Sequence, residues 1–347
     1  MHSSADSAKQ QYAAAGVDID AAERAKQLIK PLARSTARPG YMSDIGFFGA
    51  FFQVQGYKEP ILVSSTDSVG TKVLIAIQMG KLDTVGKDIV NHCVNDIFVG
   101  GADPLFFLDY IGLGHLVPEE VEQIVKGLAE ACKESNCALI GGETAQMPAL
   151  YKPGDFDLVG FIVGAVEKSG IIDGSKITAG DAIIGIPSSG LHTNGYSLAR
   201  RVLNTEGNPK ALSTRHADLG RTLGEALLEP HRSYYHAVKP VIQHVKGMAH
   251  ITGGGLPGNV PRVLPKGVAA TFDRAAWVIP PLFRMIQKAG AVNDEEMFKV
   301  FNMGIGMTVF CAPQEARTIT DKIPDARIIG RAVAQSDSRR VIINHPA

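Results

Sequence analysis

With 347 residues the chain is longer than one hydrophobic core usually supports, so two domains are expected. Its 35 basic and 35 acidic residues cancel, which speaks against a nucleic-acid or anionic-membrane partner. No run reaches the roughly 20 apolar residues that span a bilayer, and the opening MHSSADSAKQQY lacks the apolar core of a secretory signal, so a cytoplasmic protein is expected.

In chain order, ILVSSTD (61–67) reads as a buried strand ending in polar residues, and a helix is expected over 85–99. The run PLFFLDYIGLG predicts a strand carrying one acid, Asp109. After Pro118, the positions Val121, Ile124, Val125, Leu128 and Cys132 follow helical spacing. A short strand over 138–140 enters GGETA, and another covers 158–167. The polar, turn-rich SGIIDGSKITAGD marks the domain boundary, dividing the chain into 1–172 and 173–347. The second half reads as a strand (182–187), the loop SSGLHTNG and a helix over 196–203. A strand entering HITGGG, a helix over 280–289 and a strand through MGIGMTVF follow. A helix opening at PQEARTITDKI and a strand ARIIGRAVA complete it. Strands and helices mix throughout, so the class is α+β or mixed α/β. The cysteines Cys93, Cys132, Cys137 and Cys311 form no CxxC pair and read as reduced, partly buried thiols.

Five segments carry chemistry. In STDSVGTK, Asp67 leaves a strand beside the turn glycine Gly70, with Lys72 just beyond; a carboxylate there can hold Mg²⁺ and a lysine can offset phosphate charge. Asp88, Asn91, His92, Asn95 and Asp96 line one face of a helix. That face is either a solvated stripe or a surface for a metal or polar ligand. In LIGGETA, Glu143 follows two glycines at a strand end. Asp67, Asp96 and Glu143, with Asp109 as a possible fourth, make a hard-oxygen set suited to Mg²⁺ shared with a nucleoside triphosphate. The loop SSGLHTNG and the stretch HITGGGLPGN offer small residues and exposed amides, a natural cradle for phosphate. The second formally contains GxGxxG, but no Rossmann-length βαβ unit surrounds it, and no P-loop occurs anywhere. His192 reads as an acid/base, a substrate hydrogen-bond donor or a loop-stabilising residue.

Taken together these segments resemble the phosphoribosylformylglycinamidine cyclo-ligase (aminoimidazole ribonucleotide synthetase) family. The resemblance runs from YAAAGVDIDAAE through STDSVGTK, DTVGKDIVNHCVNDI, GADPLFFLDY, LIGGETAQMP, SSGLHTNGYSLARR and HITGGGLPGNVPRVLP to FNMGIGM, in the family's order. It implies two domains, an N-terminal sheet domain that binds ATP and Mg²⁺ and pairs across a homodimer, and a C-terminal α/β sandwich that takes the substrate phosphate. It implies Asp67, Asp96 and Glu143 as metal ligands, and Lys30, Gly70, Thr71, Lys72 and Gly142 beside the nucleotide. Asp96, Lys72 and His192 become the candidate catalytic residues. Ser189, Gly190, His192, Asn194 and Gly195, with Thr252, Gly253, Gly254 and Gly255, become the candidate substrate-binding residues. The implied reaction converts formylglycinamidine ribonucleotide to aminoimidazole ribonucleotide, with release of ADP and phosphate.

Two positions depart from the family's pattern. Ser68 stands where the family commonly has the central glycine of TDGVGTK, and DIGFFGAFF carries Phe47 and Ala50 where more glycine is expected. Neither removes a charged ligand, so both read as modifiers of rate or affinity. Within the wider superfamily, a thiamine-monophosphate kinase is the nearest rival, and GADPLFFLDY and GGETAQMP favour the cyclo-ligase. A selenophosphate synthetase would carry a reactive cysteine near its N-terminus, whereas the first cysteine here is Cys93. A catalytically silent nucleotide-binding regulator would have no need of Asp67, Lys72, Asp96 and Glu143.

Overall fold

The computed structural model describes residues 15–42, 46 and 48–344, so the Phe47 departure lies outside the described residues. Contacts divide the chain into two compact units. Residues up to Cys93 together with Pro104–Ala165 form the first, and Val94–Asp103 with everything from Val166 onward forms the second.

The first unit begins with helix α1 (Ile19–Arg34), whose start is capped by the Asp18 carboxylate accepting from the Ala21 amide at 3.0 Å. Strand β1 (Pro60–Ser68) leads through a short turn into α2 (Val73–Met79) and then α3 (Asp83–Phe98), whose last turn from Val94 belongs to the second unit. Strand β2 (Asp103–Leu113), helix α4 (Pro118–Glu134), β3 (Ala138–Gln146) and β4 (Phe156–Glu167) complete it. The sheet order is β1-β4-β2-β3. Pro118 opens α4 at a position where its missing N–H costs nothing, and Val121, Ile124, Val125 and Leu128 bury one face.

Three expectations change here. Strand β1 is not buried: it is an edge strand, with Ile61 and Leu62 38% and 59% exposed. Strand β3 does not stop before GGETA. Parallel pairing with β2 sets Asp109 opposite Gly142 and Tyr110 opposite Glu143, and supplies the backbone partners that carry the strand to Gln146. The polar stripe on α3 is not a solvated face: Asp88, Asn91, His92 and Asn95 are all buried, Asp88 against Lys72, His92 against Asp67 and Asn95 against Tyr234.

The second unit is built on a mixed six-stranded sheet of β5 (Ala182–Pro187), β8 (Gly247–His250), β9 (Val268–Asp273), β10 (Ile305–Cys311), β11 (Arg327–Ala334) and β12 (Val341–Asn344). Their order is β12-β9-β11-β5-β10-β8, with β12 parallel to β9 and the other pairs antiparallel. A two-residue hairpin, β6 (Arg215–His216) and β7 (Arg221–Thr222), stands apart from it. Around the sheet lie α5 (Tyr196–Val202), α6 (Gly255–Asn259), α7 (Pro281–Gly290), α8 (Asp294–Val300) and α9 (Ala316–Lys322). Ile184, Ile186, Met248, Met307, Val309 and Ile319 form the heart of one apolar layer.

All four cysteines are buried free thiols. Burial pushes the Cys132 thiol well above its usual range, helped by a hydrogen bond with Cys137, and burial raises Cys311 to about 11. Among the described residues no helix is long and apolar enough to cross a membrane.

Candidate active site

In the first unit, β1 ends at Ser68 and the chain turns through Gly70, whose φ of +67° is the left-handed conformation glycine tolerates. Asp67, at the end of β1, is fixed from two sides. Its Oδ1 accepts from the Ser68 amide at 2.7 Å, and its Oδ2 lies 3.0 Å from His92 Nε2. Ser68 itself adopts no left-handed φ, so the departure from glycine carries no backbone strain. Thr71 is half-buried in the same turn. Lys72, expected beside a nucleotide, is fully buried, with Nζ 2.9 Å and 2.8 Å from the two oxygens of an equally buried Asp88. The ammonium is held in an internal ion pair.

A cavity of about 430 Å³ opens elsewhere in this unit, lined by Lys26, Ile29, Ala50, Asp109, Gly142 and Glu143 among others. It is α1 that walls one side: positions 22, 25, 26, 29 and 33 follow helical spacing, so Lys26 reaches the cavity while Lys30 is not among its lining residues. Burial pushes the Asp109 carboxyl up to about 7, and the charge of Glu143 adds to the rise. A Cβ at position 142 would overlap the Asp109 carboxylate, so the second glycine of GGE makes room for that acid.

In the second unit, β10 runs antiparallel to both β5 and β8, so β5 and β8 run in the same direction. The loops that follow them, 188–195 and 251–255, therefore leave the same edge of the sheet. They approach each other at Asn194 and Gly253, where a Cβ on the glycine would stand 3.0 Å from Asn194 Oδ1. Each loop has a buried asparagine at its centre. Asn302 donates to Gly190 O at 2.9 Å and accepts from Ser188 Oγ and the Gly304 amide, both at 2.9 Å. Asn259 donates to the carbonyls of Gly255, Gly253 and Thr252 at 2.9, 3.2 and 3.3 Å, and Thr252 Oγ1 lies 3.4 Å from its Oδ1. Ser189 is held through its hydroxyl to Pro230 O at 2.6 Å and through its amide to His192 Nε2 at 3.2 Å. Gly195 lets α5 begin against Phe301, with which any Cβ would collide.

Behind these loops three histidines are buried together. His192, at φ +62°, stacks on His231 with ring centroids 3.9 Å apart. His231 Nε2 is 2.9 Å from His250 Nε2, and His250 Nδ1 is 2.7 Å from Asp96 Oδ1. With Asp96 ionised, His250 donates from Nδ1 and accepts at Nε2 from His231; His231 Nδ1 then faces Thr193 Oγ1 at 3.5 Å as an acceptor. The His192 ring and the Tyr234 hydroxyl both occupy the space that a side chain at Gly306 would need.

Of the expected metal ligands, Asp67 and Glu143 belong to the first unit and Asp96 to the second. Asp67 pairs with His92, Asp96 with His250, and Glu143 stands beside Asp109. Among the described residues, no cluster of three ligand groups close enough to share one ion includes Asp67 or Glu143. Conversely, His231, His250, Asn259, Asn302, Lys26 and Asp88 were not assigned to the site from the sequence. Asp88, His250, Asn259 and Asn302 lie inside the motifs, Asp88 on the polar helix face itself; the segment around His231 offers no spacing that would single it out.

The two-domain fold with paired glycine loops is that of the AIR synthase related proteins. The N-terminal domain model of that description matches residues 50–166 and the C-terminal one residues 178–343. A phosphoribosylformylglycinamidine cyclo-ligase of Desulfitobacterium hafniense is 48% identical over 94% of this chain and 97% of its own length. One of Syntrophotalea carbinolica is 49% identical over 96% and 97%. The chain belongs to the phosphoribosylformylglycinamidine cyclo-ligase family. Among solved structures, a thiamine-monophosphate kinase from Stenotrophomonas maltophilia superposes with a TM-score of 0.69 at 18% identity, covering 91% of this chain and 95% of that one. The hydrogenase maturation protein HypE in complex with ATP gives 0.65 at 16%, covering 90% and 89%. At these identities the likeness speaks for the fold alone.

Proposed function

We propose that this chain closes the imidazole ring of aminoimidazole ribonucleotide from formylglycinamidine ribonucleotide, using ATP in de novo purine biosynthesis. Family membership supports the reaction. The observation that carries the site is the pair of glycine loops leaving one sheet edge beside a buried histidine cluster. An amide oxygen is a poor leaving group; phosphorylating the formyl oxygen turns it into an iminophosphate, the amidine nitrogen attacks that carbon, and phosphate departs. The protein's tasks are to position the two reacting atoms and to keep water from the intermediate.

In this reading, 1–172 carries ATP, Mg²⁺ and the dimer contact, and 173–347 carries the substrate phosphate. The HypE structure of the same fold was solved with ATP, which is in keeping with nucleotide use here; the reading places the nucleotide near Asp67, Gly70, Thr71, Lys72, Gly142, Glu143 and Lys30. The donor set fits Mg²⁺: Asp67, Asp96 and Glu143 offer hard carboxylate oxygens, and Mg²⁺ takes only one or two carboxylates alongside phosphates and water, so the acids need not converge beforehand. When bound, the ion would offset charge on the transferring phosphate. Ser189, Gly190, His192, Asn194 and Gly195 would face the substrate together with residues 252–255, and His192 would act as a hydrogen-bond donor held by its stack on His231. The exposed edge strand β1, with Ile61 and Leu62, supports pairing with a second copy. The four free thiols are in keeping with a reducing, cytoplasmic setting.

The test is incubation with formylglycinamidine ribonucleotide, ATP and Mg²⁺, following aminoimidazole ribonucleotide and ADP together. Substrate-dependent ADP without the imidazole product would sink the cyclisation.

A further inference from the structure

A planar trans peptide has its carbonyl and the next N–H pointing in opposite directions. Asn259 draws the carbonyls of Thr252 and Gly253 to its own side-chain amide. The N–H groups of Gly253 and Gly254 are therefore aimed the other way, out of the loop. Gly253 is exposed and Gly254 half-buried, and among the described residues neither amide donates to any acceptor. Meanwhile the Gly255 amide is consumed internally by Thr252 O at 3.0 Å, and Gly254 O takes the Gly258 amide at 2.9 Å. Two adjacent amides thus face outward, beside Asn194 of the neighbouring loop.

We propose that Asn259 is a positioning residue whose side-chain amide turns the Thr252–Gly253–Gly254 peptides so that two N–H groups receive the ribose phosphate of the substrate. This rests on the reading of 252–255 as the phosphate loop, and it names what makes that loop a receptor. Three glycines in a row have little conformational preference of their own. The chain must be told which face its carbonyls take, and Asn259, only 2% exposed, is the group that tells it. Gly254 at φ +97° is the hinge that the arrangement requires. Without the asparagine, Gly253 O loses its donor while Thr252 O keeps the Gly255 amide, so the Gly253–Gly254 peptide is free to turn over and present its oxygen instead of its N–H to the anion. Asn259 touches no reacting atom in this account; it acts through the loop.

The test compares substrate with its phosphate-free riboside, read as KM or as a competitive inhibition constant, in the full-length protein. In Asn259→Ala, the constant for the ribonucleotide is expected to rise roughly 10- to 100-fold, the loss of about one hydrogen bond to a charged group. The constants for the riboside and for ATP are expected to stay within about twofold, because neither meets these amides. The preference for nucleotide over riboside therefore collapses in one variant. A general weakening of the fold would raise all three constants together and would overturn the claim. So would a folded Asn259→Ala that keeps the wild-type preference. If Asn259→Ala does not accumulate, Asn259→Ser, with one shorter donor, is read in the same way. Gly254→Ala, which forces a side chain into a left-handed position, separates the two levels of the argument. If it collapses the preference and Asn259→Ala does not, the positioning role fails and the phosphate loop stands. If neither variant changes the preference, the loop does not hold the phosphate, and both readings fall.

Discussion

Lys72 and Asp88 form an ion pair with both side chains fully buried and the nitrogen 2.8–2.9 Å from each oxygen. At 2.8 Å and an effective dielectric of about 20, the attraction is roughly 6 kcal/mol. Desolvation costs several kcal/mol for each ion, so the pair as a whole contributes little net stability. Removing one partner is different, because it strands a charge in the interior. Lys72→Met is expected to destabilise the protein by about 3–5 kcal/mol, and Lys72→Met with Asp88→Leu to recover to within about 1 kcal/mol of wild type. Urea unfolding followed by intrinsic fluorescence and circular dichroism measures both. The double variant also separates structure from ligand binding. If Lys72 serves only the fold, the KM for ATP in the recovered protein stays within about threefold. A single variant within 0.5 kcal/mol of wild type, or a double variant as unstable as the single, would refute the reasoning. A stable double variant with ATP use abolished would return Lys72 to the phosphate.

Asp109 has its carboxyl pushed up to about 7 in the fold, against about 3.9 in an unfolded chain. The folded state holds that proton more tightly, so the associated stability is complete below about pH 4 and declines as pH rises toward 7. Asp109→Asn should flatten that decline and be more stable than wild type at pH 8 by about 1–2 kcal/mol; parallel pH–stability curves would contradict it. Ser68→Gly should leave the KM for ATP within about twofold and cost about 0.5–1 kcal/mol, as glycine in a strand does. A marked gain in nucleotide affinity would mean that the serine does constrain the turn. Gly306→Ala would press a methyl group against the Tyr234 hydroxyl and the His192 ring. A loss of about 1–3 kcal/mol with a fall in kcat is expected, and unaltered kinetics would uncouple His192 from turnover.

Much of the fold was legible because apolar spacing is a local signal. Val121, Ile124, Val125 and Leu128 announce α4, and the run 182–187 announces β5. The strands that escaped, among them β9 and β12, are short and weakly patterned. VAATFD has no regular alternation and owes its place to neighbours on both sides. The site divides along the same line. Glycine loops and acids are visible as letters, but their partners are set by distance in space. The stripe on α3 looked like a surface because Asp88, His92, Asn95 and Asp96 are polar. Asp88, His92 and Asn95 are buried and Asp96 half-buried against Lys72, Asp67, Tyr234 and His250, which lie 16, 25, 139 and 154 residues away. The same holds for His231, whose neighbours in sequence carry no hint of its contacts with His192 and His250. Asn259 is the reverse case, present in a quoted motif yet silent until its three carbonyl partners are seen.

The sealed thiols have a practical consequence. A maleimide or an aromatic disulfide reacts with thiolate, and in the native protein all four cysteines are buried, with Cys132 and Cys311 also held toward their protonated forms. Labelling can then occur only through opening. Cys93, Cys132 and Cys137 belong to the first unit and Cys311 to the second. The chain thus carries its own set of reporters. Mass spectrometry of pulse-labelled peptides would read how often each half breathes, and whether nucleotide quiets one half while ribonucleotide quiets the other.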